Sequence, residues 1–329
     1  MPDPRLRPLL VPSLALLGMS LPAAPAQAGL MAYVSNERGN TVSVIDVDAG
    51  KAVATWPVGG RPRGIAITPD GKGVLIAAGT DNTVEWRDRA TGALVTQLPS
   101  GEDPEQFLVS HDGRLLYVSN EDDAVLTAID LASRTVAWQV PVGKQPEGVA
   151  ESPDGKTVAV ANEDSAVISW IDTATHAVTE STPVEGRPRV VRYSNDGREL
   201  WVSAEMAGVV HVFDAASHKE LAQMTFAPPG ATAMKILPCG IGFTPDGRTA
   251  VIALGRADSV AVVDVATRKV RGYVHVGQRP WQLAITADGA RAVVAAGNSD
   301  AVSVIDITKM AEISRIPAGN GAWGVALGQ

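Results

Sequence analysis

The residues best suited to chemistry in this sequence recur at one position of a repeated motif. A proline stands at regular intervals, and the residue after it changes type along the chain: Arg63, Glu105, Glu147, Arg189, Cys239 and Trp281, with Trp323 at the corresponding place near the C-terminus. Tryptophan and arginine are effective interface anchors, so this set could hold an amphipathic ligand or a protein surface. The alternative is a rim of solvated charges with two packing tryptophans.

Two further charged residues interrupt positions that are otherwise uncharged in the repeats. Glu151 stands where other repeats have apolar or aromatic residues such as Ile67 or Val109. Arg192 stands where they have small or apolar residues such as Ala66. A buried charge is costly unless it is paired, so each should have a partner or reach water. Because the two positions differ in strand parity, we expect a Glu151 to Arg192 ion pair between neighbouring repeats, with ligand binding as the alternative role.

A third pattern is the series Asn36-Glu37, Asn120-Glu121 and Asn162-Glu163, followed by Ala204-Glu205. Asparagine side chains readily cap tight turns, so the repetition favours a structural role. Calcium binding by the oxygens is a weaker alternative, because one residue per repeat does not form a compact ligand set.

Familiar catalytic and cofactor signatures are missing from the sequence. It contains no C-x-x-C-H, C-x-x-C, H-E-x-x-H, G-x-S-x-G or P-loop motif. The single cysteine, Cys239, has no histidine near it in the chain, which favours a packed thiol over a nucleophile. The sequence therefore predicts no cofactor, no metal site and no assigned catalytic residue.

The elements that must position these residues are short strands in a long-period repeat. Aspartates end apolar runs at a spacing of 42 residues, with one interval of 50, at Asp46, Asp88, Asp130, Asp172, Asp214, Asp264 and Asp306. Within one period the pattern predicts four strands, at residues 64–68, 74–78, 83–87 and 94–98. Four strands per period of about 42 residues is typical of a propeller blade, and no sustained helical periodicity is present.

The two ends of the repeat array complement each other. The first repeat lacks an innermost strand, and the last segment, Trp323 to Leu327, resembles an innermost strand without the rest of its repeat. Pairing the C-terminal strand with the N-terminal blade would hide two sheet edges. The predicted fold is therefore all-β, a closed seven-bladed β-propeller of four-stranded blades. An insertion of eight residues before Cys239 is interpreted as a lid, a docking finger or a tolerated loop.

Composition and the N-terminus give the expected compartment. The net charge of -8 and the pI near 5.2 argue against nucleic acid as a partner. Residues 1–28 read as a signal peptide, with Arg5 and Arg7 before an apolar stretch and Ala26-Gln27-Ala28 as the cleavage site. We expect a periplasmic protein that does not span the membrane, with residues 29–329 as one propeller domain.

Several segments resemble a known repeat family. Tyr33-Val34-Ser35-Asn36, the run 40–46, the run 57–66 and Pro69-Asp70-Gly71 are similar to successive parts of the YVTN-type β-propeller repeat. With its export signal, the chain most resembles the propeller proteins associated with pyrroloquinoline quinone (PQQ)-dependent catabolism. That resemblance implies a periplasmic propeller and supplies no established catalytic residues.

Two functions are compatible with these observations. The favoured interpretation is a non-catalytic binding or scaffold protein, accessory to PQQ-dependent alcohol oxidation, whose partner is a quinoprotein dehydrogenase, a cytochrome or a transporter component. The alternative is a propeller hydrolase or lyase, such as a lactonase, with Glu147, Glu151 and Arg192 acting at the channel mouth as base and anion clamp.

Overall fold

The computed structural model describes residues 29–328, and these form seven four-stranded antiparallel sheets. The predicted signal peptide lies outside the described residues. Each sheet is one blade of a propeller, as the repeat predicts, and we number the blades 1 to 7 along the chain. Among the described residues, no helix is long and apolar enough to cross a bilayer.

In blades 2 to 7 the strands follow the chain from the innermost to the outermost, and blade 1 begins with its second strand. Blade 1 contains β1 Met31–Asn36, β2 Thr41–Asp46 and β3 Lys51–Pro57; blade 2 contains β4 Pro62–Ile67, β5 Gly73–Ala78, β6 Thr83–Asp88 and β7 Leu94–Pro99; blade 3 contains β8 Pro104–Val109, β9 Leu115–Asn120, β10 Val125–Asp130 and β11 Thr135–Pro141; blade 4 contains β12 Pro146–Glu151, β13 Thr157–Asn162, β14 Val167–Asp172 and β15 Ala177–Pro183.

The second half of the chain continues the same order. Blade 5 contains β16 Pro188–Tyr193, β17 Glu199–Ala204, β18 Val209–Asp214 and β19 Glu220–Thr225; blade 6 contains β20 Pro238–Phe243, β21 Thr249–Leu254, β22 Ser259–Asp264 and β23 Lys269–His275; blade 7 contains β24 Pro280–Ile285, β25 Arg291–Ala296, β26 Ala301–Asp306 and β27 Ala311–Pro317. Short 3₁₀ turns occur at Gly79–Asp81, Ala233–Lys235 and Gly255–Ala257.

The last strand, β28 Ala322–Gly328, completes blade 1. It pairs antiparallel with β1, with Ala32 opposite Leu327 and Val34 opposite Val325, so the sheet order is β28, β1, β2, β3. This closure is the predicted one, and it satisfies the backbone groups of both ends of the array.

The repeated aspartates hold the turns between strands. The Asp70 carboxylate accepts hydrogen bonds from Thr68 Oγ1 at 2.6 Å and Lys72 N at 3.0 Å, and Gly71 between them has a φ of 70°. Asp88 accepts from Thr91 N at 2.9 Å at the next turn. The landmarks that define the period are therefore turn-forming groups.

The blades pack through apolar faces that meet in the gap between neighbours. One cluster joins Trp201 and Val212 of blade 5 to Ile252 and Val263 of blade 6, and all four side chains are buried. The innermost strands approach more closely, because a Cβ on Gly148 would lie 2.6 Å from Arg189 O. These close contacts define a narrow central channel.

Candidate functional site at the channel mouth

The residues after the repeated prolines form a closed ring around one end of the channel. We call this the mouth ring; it consists of Arg63, Glu105, Glu147, Arg189, Cys239, Trp281 and Trp323. Each one is the second residue of an innermost strand, and a bulge follows the proline in six of these strands. The fold therefore brings together the set that the sequence singled out.

Several members of the mouth ring contact one another. Glu147 Oε1 accepts from Arg189 Nη2 at 2.6 Å, and the Arg189 guanidinium lies 5.4 Å from the centre of the Trp281 ring. The rings of Trp281 and Trp323 are 6.4 Å apart, and Arg63 lies 5.6 Å from the Trp323 ring. The charges occupy one arc and the tryptophans the other, and the tryptophan faces support guanidinium groups by cation–π contact.

A second set of charged residues surrounds the mouth ring, and we call it the outer tier. Four glutamates come from the loops between second and third strands, and four residues stand immediately before the repeated prolines; together they are Glu37, Glu121, Glu163, Glu205, Arg61, Asp103, Arg187 and Arg279. The repeated Asn-Glu pattern predicted a turn role for these glutamates, and no sequence pattern pointed to the other four residues. Each of these residues occupies a fixed position in the repeat, and that regularity could have identified them from the sequence.

The asparagines that precede three of these glutamates have structural roles. Asn36 Nδ2 donates to Thr41 Oγ1 at 2.9 Å and to Ser43 Oγ at 3.0 Å, and Asn36 Oδ1 accepts from Gly319 N at 3.0 Å. Turn formation by asparagine thus orients the following glutamate toward the mouth.

One half of the site is a carboxylate held by two arginines. Glu205 Oε1 accepts from Arg279 Nη2 at 2.6 Å, and Glu205 Oε2 accepts from Arg189 Nη1 at 3.2 Å. Burial raises the pKa of Glu205, but the charges of the two guanidiniums outweigh that effect and hold it below its usual value. Arg279 also lies 3.8 Å from the centre of the Trp281 ring. Glu205 is therefore a fixed anion that orients the two guanidiniums.

The other half contains two neighbouring carboxyl groups of different character. Glu105 is fully buried, and the charge of Arg63 overcomes burial and lowers its pKa. Burial, together with a hydrogen bond to Glu105 and the charge of that residue, raises the pKa of Glu121 to about 8. The Glu121 side chain is 16% exposed, so it can exchange protons with water near neutral pH.

Glu147 is the third carboxyl group of interest. Its side chain is buried, and burial raises its pKa despite the contact with Arg189. Gln106 Nε2 donates to Glu147 Oε2 at 3.3 Å. Glu147 is thus a buried polar link between the mouth ring and the channel below it.

Three of the carboxylates could suggest a metal centre. Oxygens of Asp103, Glu105 and Glu121 lie within 4.8 Å of one another. Arg61 Nη2, however, contacts Asp103, lies 2.6 Å from Glu105 Oε1 and lies 3.9 Å from Glu121 Oε2. A guanidinium therefore already supplies the positive charge among these acids, and the residues do not argue for a metal ion.

Glu151 and Arg192 lie away from the mouth, and the expected ion pair between them does not form. Glu151 Oε2 accepts from His111 N at 2.6 Å, whereas Arg192 Nη1 donates to the carbonyl oxygens of Val149 at 3.4 Å and Val191 at 3.3 Å. Glu151 ends its strand at the opposite face and turns toward blade 3 rather than toward the gap between blades 4 and 5. The predicted ion pair is therefore wrong, and a binding role for either residue stays a prediction.

The insertion before Cys239 lies in the loop between β19 and β20, on the mouth side. Phe226, Ile236 and Leu237 are buried there, while Met234 is 89% exposed. Cys239 donates to Leu237 O at 3.4 Å, and burial raises the pKa of its thiol to about 12. The expectation of a packed thiol is confirmed, and the role of the loop stays a prediction.

Comparisons with known proteins extend this description. A family model described as a seven-bladed β-propeller lactonase matches residues 172–316. The chain is similar to propeller lactonases. The matched segment contains Arg187, Arg189, Glu205, Arg279 and Trp281 of the site. No curated protein matches the chain.

Solved structures with the same fold include two described as putative 6-phosphogluconolactonases. The protein from Bacteroides fragilis is 16% identical, with a TM-score of 0.77 over 93% of this chain and 99% of the other. The protein from Bacteroides uniformis is 18% identical, with a TM-score of 0.76 over 92% and 100%. The hydrazine synthase of Kuenenia stuttgartiensis is 21% identical, with a TM-score of 0.71 over 80% and 89%. At these identities the likeness establishes the fold.

These findings correct two predictions from the sequence. The interpretation as a non-catalytic binding or scaffold protein, and the expectation that the chain is not an enzyme, are contradicted by the lactonase match and by the lactonase descriptions of the structural neighbours. They favour the alternative, a lactonase-like hydrolase. That alternative placed Glu151 and Arg192 at the mouth, and the structure places them away from it.

Proposed function

We propose that the protein hydrolyses lactones at the channel mouth. The observation that carries the proposal is the accessible carboxyl group of Glu121, which has a pKa of about 8. This group lies beside the buried Glu105 carboxylate and the Arg61 guanidinium. A carboxyl group with this pKa is well matched to proton transfer near neutral pH. The lactonase family match across blades 5 and 6 and most of blade 7 supports the same chemistry.

In the proposed reaction, the ionised Glu121 removes a proton from water as the water oxygen bonds to the lactone carbonyl carbon. The carbonyl electron pair moves onto oxygen, and Arg61, 3.9 Å from Glu121 Oε2, donates to the resulting oxyanion. Collapse of the tetrahedral intermediate breaks the ring carbon–oxygen bond. Glu121 returns its proton to the leaving oxygen, and the product is a hydroxy acid.

The charge balance of the mouth favours an uncharged lactone. Each arginine of the mouth ring and the outer tier already contacts a carboxylate; the five are Arg61, Arg63, Arg187, Arg189 and Arg279. A dianionic phosphate would have to displace one of these carboxylates, whereas a neutral sugar lactone needs only hydrogen bonds. We therefore expect glucono-1,5-lactone to be preferred over 6-phosphogluconolactone, the substrate class in the description of the two Bacteroides proteins.

The test is a pH-stat assay of both lactones, corrected for spontaneous hydrolysis, on the wild type, Glu121→Gln and Glu102→Gln. Glu102 is exposed and provides the control. Because the base acts when deprotonated, wild-type kcat/KM should rise with pH and level off above about 8. Glu121→Gln should lower kcat/KM by about 10² to 10⁴-fold and abolish its rise with pH. Absence of hydrolysis above background for both lactones refutes the function, and an unchanged Glu121→Gln variant refutes the residue assignment.

Location and partners rest on the sequence. Periplasmic export after cleavage at Ala28, the link to PQQ-dependent catabolism and a partner among quinoprotein dehydrogenases, cytochromes or transporter components stay predictions. Cell fractionation with an antibody to the mature chain would test the first of these.

A further inference from the structure

The channel contains a small cavity that shares Trp323 with the mouth ring. Its volume is about 60 Å³, and its lining includes Gln106, Phe107, Arg192, Gln282 and Trp323. Gln282 Nε2 donates to Gln106 Oε1 at 3.4 Å, which joins blade 7 to blade 3 across the channel. Arg192 is three residues further along β16 than Arg189, roughly 10 Å deeper at the rise of a strand. The cavity is therefore distinct from the proposed lactone site.

Arg192 is the one charged residue among those that line this cavity. Its hydrogen-bond partners are two backbone carbonyls, and within residues 29–328 no carboxylate lies within 4 Å of it. Burial lowers its pKa without an opposing contribution from any acid, in contrast to Arg189, whose pKa is raised by Glu147. An arginine stays charged in proteins, so its charge lacks a protein counter-ion.

The fold does not require a cation at this position. The six other innermost strands have small or apolar residues there, namely Ala66, Leu108, Ala150, Gly242, Ala284 and Ala326. The Arg192 side chain is half-buried, and partial desolvation of a guanidinium without an acidic partner costs free energy that a packing residue would not. The cavity thus holds a costly charge that packing alone does not explain.

A second donor in the same lining also lacks an acceptor. The indole Nε1 of Trp323 is buried and has no hydrogen-bond partner among the described residues. The lining residues include no acid. Apart from the amide groups of Gln106 and Gln282, the polar side chains of the lining are these two donors, an arrangement that suits an anion better than a cation.

We propose that this cavity binds one small, singly charged anion, either chloride or a carboxylate group, against the Arg192 guanidinium. One positive charge balances one negative charge. A cavity of about 60 Å³ admits a halide or a formate-sized group, because about 10 to 15 Å³ of cavity volume measured in this way is enough for one water molecule. The Gln106 to Gln282 hydrogen bond is part of the cavity wall, and the lining contains none of Glu121, Glu105 and Arg61, the residues proposed for the lactone chemistry.

The test measures thermal unfolding in buffers of constant ionic strength. The anion of 2-(N-morpholino)ethanesulfonate, which is too large for the cavity, is replaced by chloride or by formate. A ligand present at about ten times its Kd should raise the unfolding temperature of the wild type by about 3 °C. Arg192→Leu should lose this shift, and Arg198→Leu, at an arginine whose side chain is 85% exposed, should keep it.

Bromide crystallography on the wild type gives a second readout that does not depend on how variants fold. An anomalous peak in the cavity beside Arg192 supports the proposal. A shift with chloride alone identifies a free halide, and a shift with formate alone identifies a carboxylate ligand. If neither anion shifts the wild type, or if Arg192→Leu responds equally, and no bromide peak occupies the cavity, the proposal is overturned and channel water solvates Arg192.

Discussion

Removing Arg189 should destabilise the protein strongly, because this side chain neutralises several buried acids at once. It is 8% exposed and contacts Glu147 at 2.6 Å and Glu205 at 3.2 Å, and those carboxylates are 2% and 5% exposed. Breaking a buried pair by removing one partner costs about 3 to 5 kcal/mol. At roughly 2 °C per kcal/mol for a domain of this size, Arg189→Met should lower Tm by about 6 to 10 °C.

The loss of stability in Arg189→Met should depend on pH, and Glu147 determines the direction of that dependence. Burial already raises the pKa of Glu147, and loss of the Arg189 charge raises it further. An acid whose folded pKa exceeds its unfolded value destabilises the protein increasingly as pH rises from the unfolded pKa to the folded one. Arg189→Met should therefore be closer to the wild type at pH 5 than at pH 8.

Urea unfolding of the wild type, Arg189→Met, Glu147→Gln and the double variant supplies the coupling free energy. Replacing the charged Glu147 in the Arg189→Met background removes an unpaired charge, so the double variant should recover about 2 kcal/mol. Arg198→Met, at an exposed arginine, should stay within about 0.5 kcal/mol of the wild type. A loss below about 1 kcal/mol in Arg189→Met, with no pH dependence, would show that this network is not a buried ion-pair system.

Two further predictions concern the propeller itself. Gly148→Ala should lower the free energy of unfolding by about 1 to 3 kcal/mol in chemical denaturation, because its Cβ would lie 2.6 Å from Arg189 O and 2.9 Å from Val190 Cα. An unchanged unfolding midpoint would contradict this close approach. Deleting residues 322–329 should abolish cooperative folding and promote aggregation, since β1 would lose its innermost partner; a monomer on size-exclusion chromatography with wild-type Tm would contradict closure by β28.

The limits of sequence reasoning are clearest at Glu151 and Arg192. Strand parity predicted that the two side chains leave opposite faces of their sheets and meet in a shared gap, whereas each one contacts the preceding blade. The structure turns Glu151 toward His111 N of blade 3, and it turns Arg192 toward Val149 O of blade 4. The choice depends on how the sheets are oriented around the channel, which a period of two residues does not encode.

The outer tier was missed for a related reason. Glu121 was interpreted through the asparagine before it, since a repeated Asn-Glu pair is explained by turn formation alone. Its distinctive property, a pKa raised to about 8, arises from burial together with Glu105, which comes from another strand of the same blade. A single repeat gives no indication of that pairing.

The amino-acid sequence by itself determined the number of blades, the closure and the members of the mouth ring, because turn residues and strand lengths repeat with a fixed period and each blade is built from local contacts. Tertiary structure alone decided which charges meet, which carboxyl group keeps its proton and which guanidinium is left without an acid. Those properties depend on desolvation and on contacts between separate strands, both within a blade, as between Glu105 and Glu121, and between blades, as between Glu147 and Arg189 or Glu205 and Arg279.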